Sequence, residues 1–221
     1  FKLGSGRSLG SRVDDEVAYL AMPSMGSGHQ PTLNAFADSL QGLIARLDTE
    51  KTTGWILDLR SNDGGNCWPM LAGVGPLLGE GVCGYFQDPD GSHAEAWSYQ
   101  DGKSYQGMAE RVSTRGYRLF NPSAKVAILI GRSTASSGEV TATAFIGHPR
   151  ARSFGQPTAG YATTNTTCSM SDGAMIILTV SVYGDRNKKP VEESIIPDEL
   201  VQLEEGEDTA LAAALRWLKA R

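Results

Sequence analysis

Val126-Ala127-Ile128-Leu129-Ile130-Gly131-Arg132-Ser133-Thr134-Ala135-Ser136-Ser137-Gly138-Glu139-Val140-Thr141-Ala142-Thr143-Ala144 is the stretch around which the chain is read. Its first five residues are short, continuous and β-branched, the pattern of a buried strand. Gly131 breaks the run. From about Ser137 small and larger residues alternate at helical spacing, which predicts a helix ending near Gly147. Strand, tight turn and helix put Ser136 at a helix N-terminus, where unpaired N–H groups gather and the dipole favours negative charge. Two readings follow. Ser136 is an N-cap, a position that serine favours, or it is a nucleophile whose developing oxyanion is held by the same amides.

A second strand–turn–helix unit precedes it. Trp55-Ile56-Leu57-Asp58-Leu59 reads as a strand and leads into Arg60-Ser61-Asn62-Asp63-Gly64-Gly65-Asn66, followed by a short helix from Met70 to Leu78 with Pro69 near its first turn. Neither the dinucleotide fingerprint nor the phosphate-loop pattern is present, so a nucleotide site is not expected. Gly64-Gly65 is either a tight turn or a backbone free to approach a ligand and offer N–H groups.

Outward from these two units, the remaining elements are ordinary. Val17 to Met22 is a strand; a helix from Thr32 to about Asp48, capped by Thr32 or Asn34, carries Leu33, Phe36, Leu40, Leu43, Ile44 and Leu47 on one face. Val82 to Gln87 is a strand, and a hairpin turns at Asp101-Gly102. Residues 106–124 read as irregular. Ala151 to Phe154 is a strand, a second hairpin turns at Asp172-Gly173, and Glu207 to Lys219 forms the last helix. Residues 1–16 read as a flexible lead-in and 17–221 as a single core domain. The chain starts at Phe1, which reads as a processed form or a fragment.

Composition excludes several classes. The 221 residues are 40% hydrophobic and 20% charged with a net charge of −5. That gives no basic footprint for nucleic acid or an anionic membrane, and no run is long enough to span a bilayer. Cys67, Cys83 and Cys168 stand at no metal-ligand spacing, so neither metal nor cofactor is expected; one disulfide plus a free thiol, or three buried thiols, remain open.

The stretches Ile56 to Gly65, Ser133 to Glu139, Phe154 to Gly160, Ser171-Asp172-Gly173 and Pro197-Asp198 resemble, in this order, the core of the C-terminal processing (tail-specific) serine protease family. That family includes the tricorn protease core and the interphotoreceptor retinoid-binding protein modules. The resemblance covers most of residues 17–202 and implies an α/β fold, a crotonase/Clp-protease-like spiral of β-β-α units. The family often carries a PDZ insert, for which residues 1–60 leave no room. It implies Ser136 as nucleophile, with oxyanion amides from Ser137 and from Gly64 or Gly65, and a peptide or protein substrate. A secreted or periplasmic, bacterial setting is implied too; an oligomer stays open.

The chain departs from the family pattern at the base. Tail-specific proteases use a lysine in the loop that here reads Thr158-Ala159-Gly160-Tyr161-Ala162, and Tyr161 stands in its place. A phenol is a poor base at neutral pH. The tricorn-like branch uses a histidine oriented by an acidic residue. On that pattern the histidine lies upstream of Phe1, and Glu192, beside Glu193, is the orienting carboxylate unless it is a surface glutamate. Of the three histidines, His29 sits in a Gly/Ser loop after a strand, as a candidate base or an exposed loop residue. His93 falls in a turn, and His148 about one helix length from Ser136 (~15–18 Å). Asp63 replaces a third glycine and would put a carboxylate near the oxyanion. Asp58 and Arg60 read as a structural pair, and Glu139 as a buttress of the Ser136 helix. The alternative to a peptidase is a non-catalytic module of the same fold that binds hydrophobic ligands.

Overall fold

The computed structural model describes residues 9–88, 90, 92–191 and 193–220. Its main sheet joins β1 (Gly10–Arg12), β2 (Val17–Ala21), β3 (Gly54–Asp58), β8 (Lys125–Ile130), β9 (Ala151–Gly155) and β12 (Glu199–Leu200), in that spatial order. All neighbours run parallel except β1, which pairs antiparallel with β2. The parallel strands read as continuous apolar runs because both faces are covered. On one face Leu20, Trp55, Leu57, Val126 and Ile128 join the core that holds α1 (Gln30–Leu47) and α2 (Cys67–Leu78). On the other, Tyr19, Ile56, Ala127, Leu129 and Phe154 meet Ala210, Ala213, Ala214 and Leu218 of α4 (Thr209–Lys219).

A second, antiparallel sheet has the order β10 (Thr163–Ser169), β11 (Met175–Gly184), β4 (Gly81–Gln87), β5 (Ala94–Gln100), β6 (Lys103–Gln106) and β7 (Ala109–Ser113). Its Phe86, Trp97, Tyr99 and Val112 belong to the same core as α1 and α2. The outer part of the β10–β11 hairpin stands away from that core, leaving Met175, Ile177 and Leu178 exposed.

Several expectations need correction. Part of the lead-in is a strand, since Gly10–Arg12 pairs with Ala18–Leu20. The Arg12 guanidinium holds it there by donating to the Leu47 carbonyl, the Thr52 hydroxyl and the Asp14 and Asp15 carbonyls. Residues 1–8 lie outside the described residues. The stretch expected to be irregular contains β7, whose pairing with β6 supplies order that its mixed composition does not announce. The helix after Ser136, α3 (Ser137–Thr143), is shorter than its pattern implies. Its small residues serve close packing on every side, and the chain leaves it through turns to Gly147 at φ +74°. The first helix starts two residues early, with His29 as N-cap and Pro31 in its first turn.

Candidate active site

β3 and β8 are adjacent and parallel, with Asp58 opposite Leu129. Their C-terminal ends therefore open side by side. In open α/β sheets that edge is where ligands collect. The Gly64–Gly65 turn leaves β3 and the Ser136 turn leaves β8, so sheet register alone brings the two together.

Ser136 holds φ +51° and ψ −116° at the N-terminus of α3. A non-glycine residue at such an angle is sterically costly and persists where its surroundings over-determine it. Here they do. The Ser136 amide donates to Glu139 Oε2 at 2.8 Å. Glu139 is fully buried, and its carboxylate also accepts from Thr158 Oγ1 at 2.6 Å and from the Gly160 and Tyr161 amides, each at 2.9 Å. One carboxylate thus ties the Ser136 turn to the loop after β9. A buried charge is tolerable only when hydrogen-bonded in this way. Glu139 is a buttress, as its position implied.

The glycine turn is pressed against the serine. Gly64 sits at φ +109°, and a Cβ built on it would stand 2.8 Å from Ser136 Cβ and 3.2 Å from the Ser137 nitrogen. Gly65, at φ +111°, has no room either, because its Cβ would lie 2.3 Å from the Met25 carbonyl oxygen. Asn62 rivets the assembly. Its side chain accepts from the Gly64 amide at 3.0 Å and donates to the Pro23 carbonyl at 3.2 Å, and its own carbonyl accepts from the Ala135 amide at 3.0 Å. The Ser137 hydroxyl donates to the Gly65 carbonyl at 2.6 Å.

These bonds separate two alternatives that sequence left open. The Gly64 amide is occupied by Asn62, whereas among the described residues neither the Gly65 nor the Ser137 amide has an acceptor. Both residues, with Ser136, line a cleft of about 740 Å³ between the two sheets. Two free amides beside one hydroxyl, at a helix N-terminus, are what a developing oxyanion requires.

Tyr183 completes the surroundings of Ser136 and was not singled out in the sequence, where an aromatic in a strand carries no functional signal. Its phenol donates to the Thr163 carbonyl at 2.8 Å, and it lines the cleft together with Ser136. Burial, helped by nearby Cys67 and Glu139, raises the phenol above its ordinary value, so it stays neutral. Cys67 also lines the cleft, and burial pushes its thiol up to about 12, which removes it as a nucleophile.

Other expected participants fall elsewhere. His29 is exposed, does not line the cleft, and has its Nδ1 3.0 Å from Thr32 Oγ1. The early start of α1 puts it at the N-cap position, with no side-chain capping bond. Tyr161 contributes only its amide, its side chain being 66% exposed. Asp63 is turned to the Ser24 hydroxyl and does not line the cleft. Glu192 lies outside the described residues; Glu193 is exposed and lines a separate recess. His93 is exposed. His148 is buried, and that burial, with Arg186 and Arg150 nearby, lowers it to about 4. Asp58 and Arg60 do pair, at 2.6 Å, and Asp208 joins them at 2.7 Å, fastening α4 to the loop that leads into the glycine turn. Burial disfavours the Arg60 charge, but the two carboxylates outweigh it and raise the guanidinium above its usual range. All three cysteines are free. Among the described residues no group of three or more His, Cys, Asp or Glu is placed to hold a metal ion, and no helix is long and apolar enough to cross a membrane.

The chain is similar to several known proteins. The family model described as Peptidase family S41 matches residues 16–201. The nisin-resistance protein of Lactococcus lactis subsp. lactis is 28% identical over 212 residues, covering 96% of this chain and 63% of the relative. A carboxyl-terminal-processing protease of Synechocystis sp. is 27% identical over 197 residues, covering 87% of this chain and 39% of the relative. A lipoprotein from Streptococcus agalactiae superposes with a TM-score of 0.77 at 27% identity, over 96% of this chain and 69% of that one. The photosystem II D1 C-terminal processing protease does so with a TM-score of 0.62 at 22% identity, over 92% of this chain and 47% of that one. The chain therefore spans less than two thirds of the length of these curated relatives.

Proposed function

Since the chain belongs to peptidase family S41, we propose that it is the core of a serine-type peptidase with Ser136 as nucleophile. The Ser136 oxygen attacks a peptide carbonyl carbon and gives its proton to a base. The carbonyl oxygen becomes an oxyanion held by the amides of Gly65 and Ser137. The carbon–nitrogen bond then breaks, the amine leaves with the proton, and water hydrolyses the acyl-enzyme. Each oxyanion donor of this kind is worth roughly 10²–10³ in rate.

The observation that carries the reading is the packing of the glycine turn on a strained Ser136, with the Gly65 and Ser137 amides left unbonded. Ser136 as a mere cap does not account for it, because a cap needs neither the strain nor the pressed glycine turn. Tyr183 orients the hydroxyl in the resting state. It is not the base, since a neutral phenol already donating to Thr163 has no basic site of useful strength. The described cleft lining offers Arg111, Cys67 and Tyr183 as its titratable groups, and none takes up a proton near neutral pH. We assign the base to a histidine outside these 221 residues, the tricorn-like arrangement, with Glu192 as its orienting carboxylate.

The hydrophobic-ligand alternative fits less well. Beside Trp68, Phe86, Val140 and Tyr183, the cleft lining includes Ser27, Asn66, Gln106, Thr163 and Asn165, whose polar groups an apolar ligand would leave unpaired. The test is labelling of the full-length protein with a fluorophosphonate, together with hydrolysis of a peptide mixture. Adduct formation on Ser136, and cleavage abolished in Ser136→Ala, are expected. A folded full-length protein that neither labels nor cleaves contradicts the reading.

A further inference from the structure

Among the described residues, the cleft that holds Ser136 is lined by one basic or acidic side chain of the Lys, Arg, Asp and Glu kinds. That group is Arg111, on β7. The other titratable lining groups, Cys67 and Tyr183, are both neutral. Among the described residues Arg111 has no carboxylate within salt-bridge distance, although carboxylates stand close along the sheet. Glu110, its neighbour in sequence, pairs with Lys103 at 2.6 Å, and Glu95 accepts from Gln106 at 2.6 Å. In a protein of net charge −5, an arginine lining an active cleft without a partner has a counter-charge to be supplied from outside.

The guanidinium is also held in place. It lies over the Trp68 ring, 5.1 Å from the centroid, and Trp68 is nearly buried. The strand beneath it is fixed to α1, because the Gln30 side-chain amide donates to the Arg111 carbonyl at 2.8 Å. A stacked guanidinium keeps its N–H edges free and loses little freedom when it binds a planar anion. The first turn of α2, Cys67 and Trp68 included, opens into the same cleft and contains no acidic residue. Its dipole adds to the positive potential there.

We propose that Arg111 is a specificity-determining residue that binds a carboxylate of the peptide substrate. The proposal rests on the peptidase reading for what occupies the cleft. A carboxylate can come from the substrate's own C-terminus or from an Asp or Glu side chain. Both present two coplanar oxygens to the guanidinium fork, in the bidentate geometry that arginine favours. Arg111 takes no part in the chemistry. It fixes which peptides dwell beside Ser136, and so which bond is offered to it.

Binding measured without turnover tests this separately from catalysis. The full-length protein carrying Ser136→Ala is titrated with short fluorescein-labelled peptides of Ala, Leu and Thr in three forms: C-terminal acid, C-terminal amide, and amide with one internal Glu scanned along the sequence. One carboxylate form should bind roughly five- to tenfold more tightly than the neutral amide, the scale of one partly solvated charge-assisted pair. That gain should shrink in high salt, disappear in Arg111→Gln and persist in part in Arg111→Lys. Whether the acid or the Glu form gains identifies the source of the carboxylate. Equal affinity for all forms, or a gain that survives Arg111→Gln, overturns the proposal. Failure of the peptidase reading shows elsewhere, as a wild-type protein that no fluorophosphonate labels.

Discussion

Replacing Gly64 by alanine tests the site where it is tightest. The added Cβ would stand 2.8 Å from Ser136 Cβ and 3.0 Å from the Ala135 carbonyl oxygen, whereas carbon atoms in contact prefer about 3.5–4.0 Å. Either the serine turn or the glycine turn must therefore move by about 1 Å. A displacement of that size between reacting groups costs on the order of 10² in rate, or about 2.7 kcal/mol of transition-state stabilisation. The φ of +109° adds backbone strain of roughly 1–3 kcal/mol for any residue with a Cβ, which destabilises the fold without touching chemistry. Gly81 separates the two effects. It sits at φ +120° with nothing within 4 Å of its built Cβ, so Gly81→Ala carries the strain and not the clash. The assay is the rate of fluorophosphonate labelling of the full-length protein, with a melting temperature for each variant. Gly81→Ala should melt several degrees lower, at about 2–4 °C per kcal/mol for a chain of this size, and label at the wild-type rate. Gly64→Ala should melt lower too and label about a hundredfold more slowly. Labelling of Gly64→Ala within twofold of wild type would refute the reasoning.

Three further outcomes are expected. Glu139→Gln puts an NH₂ group in place of one of two accepting oxygens, either Oε2, which accepts from the Ser136 and Tyr161 amides, or Oε1, which accepts from the Thr158 hydroxyl and the Gly160 amide; it should cost at least about 1–3 kcal/mol, read by denaturant unfolding, and slow labelling as the Ser136 turn loses its tie to the loop after β9. Tyr183→Phe removes the phenol that shares the cleft with Ser136 and its hydrogen bond to the Thr163 carbonyl; labelling should slow by roughly three- to tenfold with about 1 kcal/mol of stability lost, and an unchanged rate would show that the phenol does not orient the serine. His148 binds its proton less readily folded, at about 4, than unfolded, near 6.5. The unfolded chain thus holds more protons between those values, and its contribution to stability is intact above pH 6.5 and lost as pH falls toward 4. Melting curves across that window should lose on the order of 2 kcal/mol more in wild type than in His148→Gln.

Much of this was legible in the sequence, for a physical reason. The parallel strands are covered on both faces, so Ile56-Leu57 and Val126 to Ile130 stand out as unbroken apolar runs. The turns at their ends are marked by Gly64-Gly65 and by the small residues after Ser136. What could not be read depends on pairing and on contacts distant in sequence. The edge strand Gly10–Arg12 has no apolar pattern and is held by Arg12. β7 has Val112 as its one buried residue, too little for a period-2 pattern. That the Gly64 amide is occupied depends on the Asn62 side chain folding back onto it, a contact the sequence does not record. The place of Tyr183 in the cleft depends on a strand returning beside Ser136, and the reading of Arg111 on its having no carboxylate within salt-bridge distance among the described residues, which no local stretch records.

The most direct measurement is a crystal structure of the full-length protein after reaction with a fluorophosphonate. The phosphorus should be bonded to Ser136 Oγ, with the phosphonyl oxygen accepting from the Gly65 and Ser137 amides at roughly 2.7–3.1 Å. An adduct on another residue, or a phosphonyl oxygen turned away from both amides, would contradict the account.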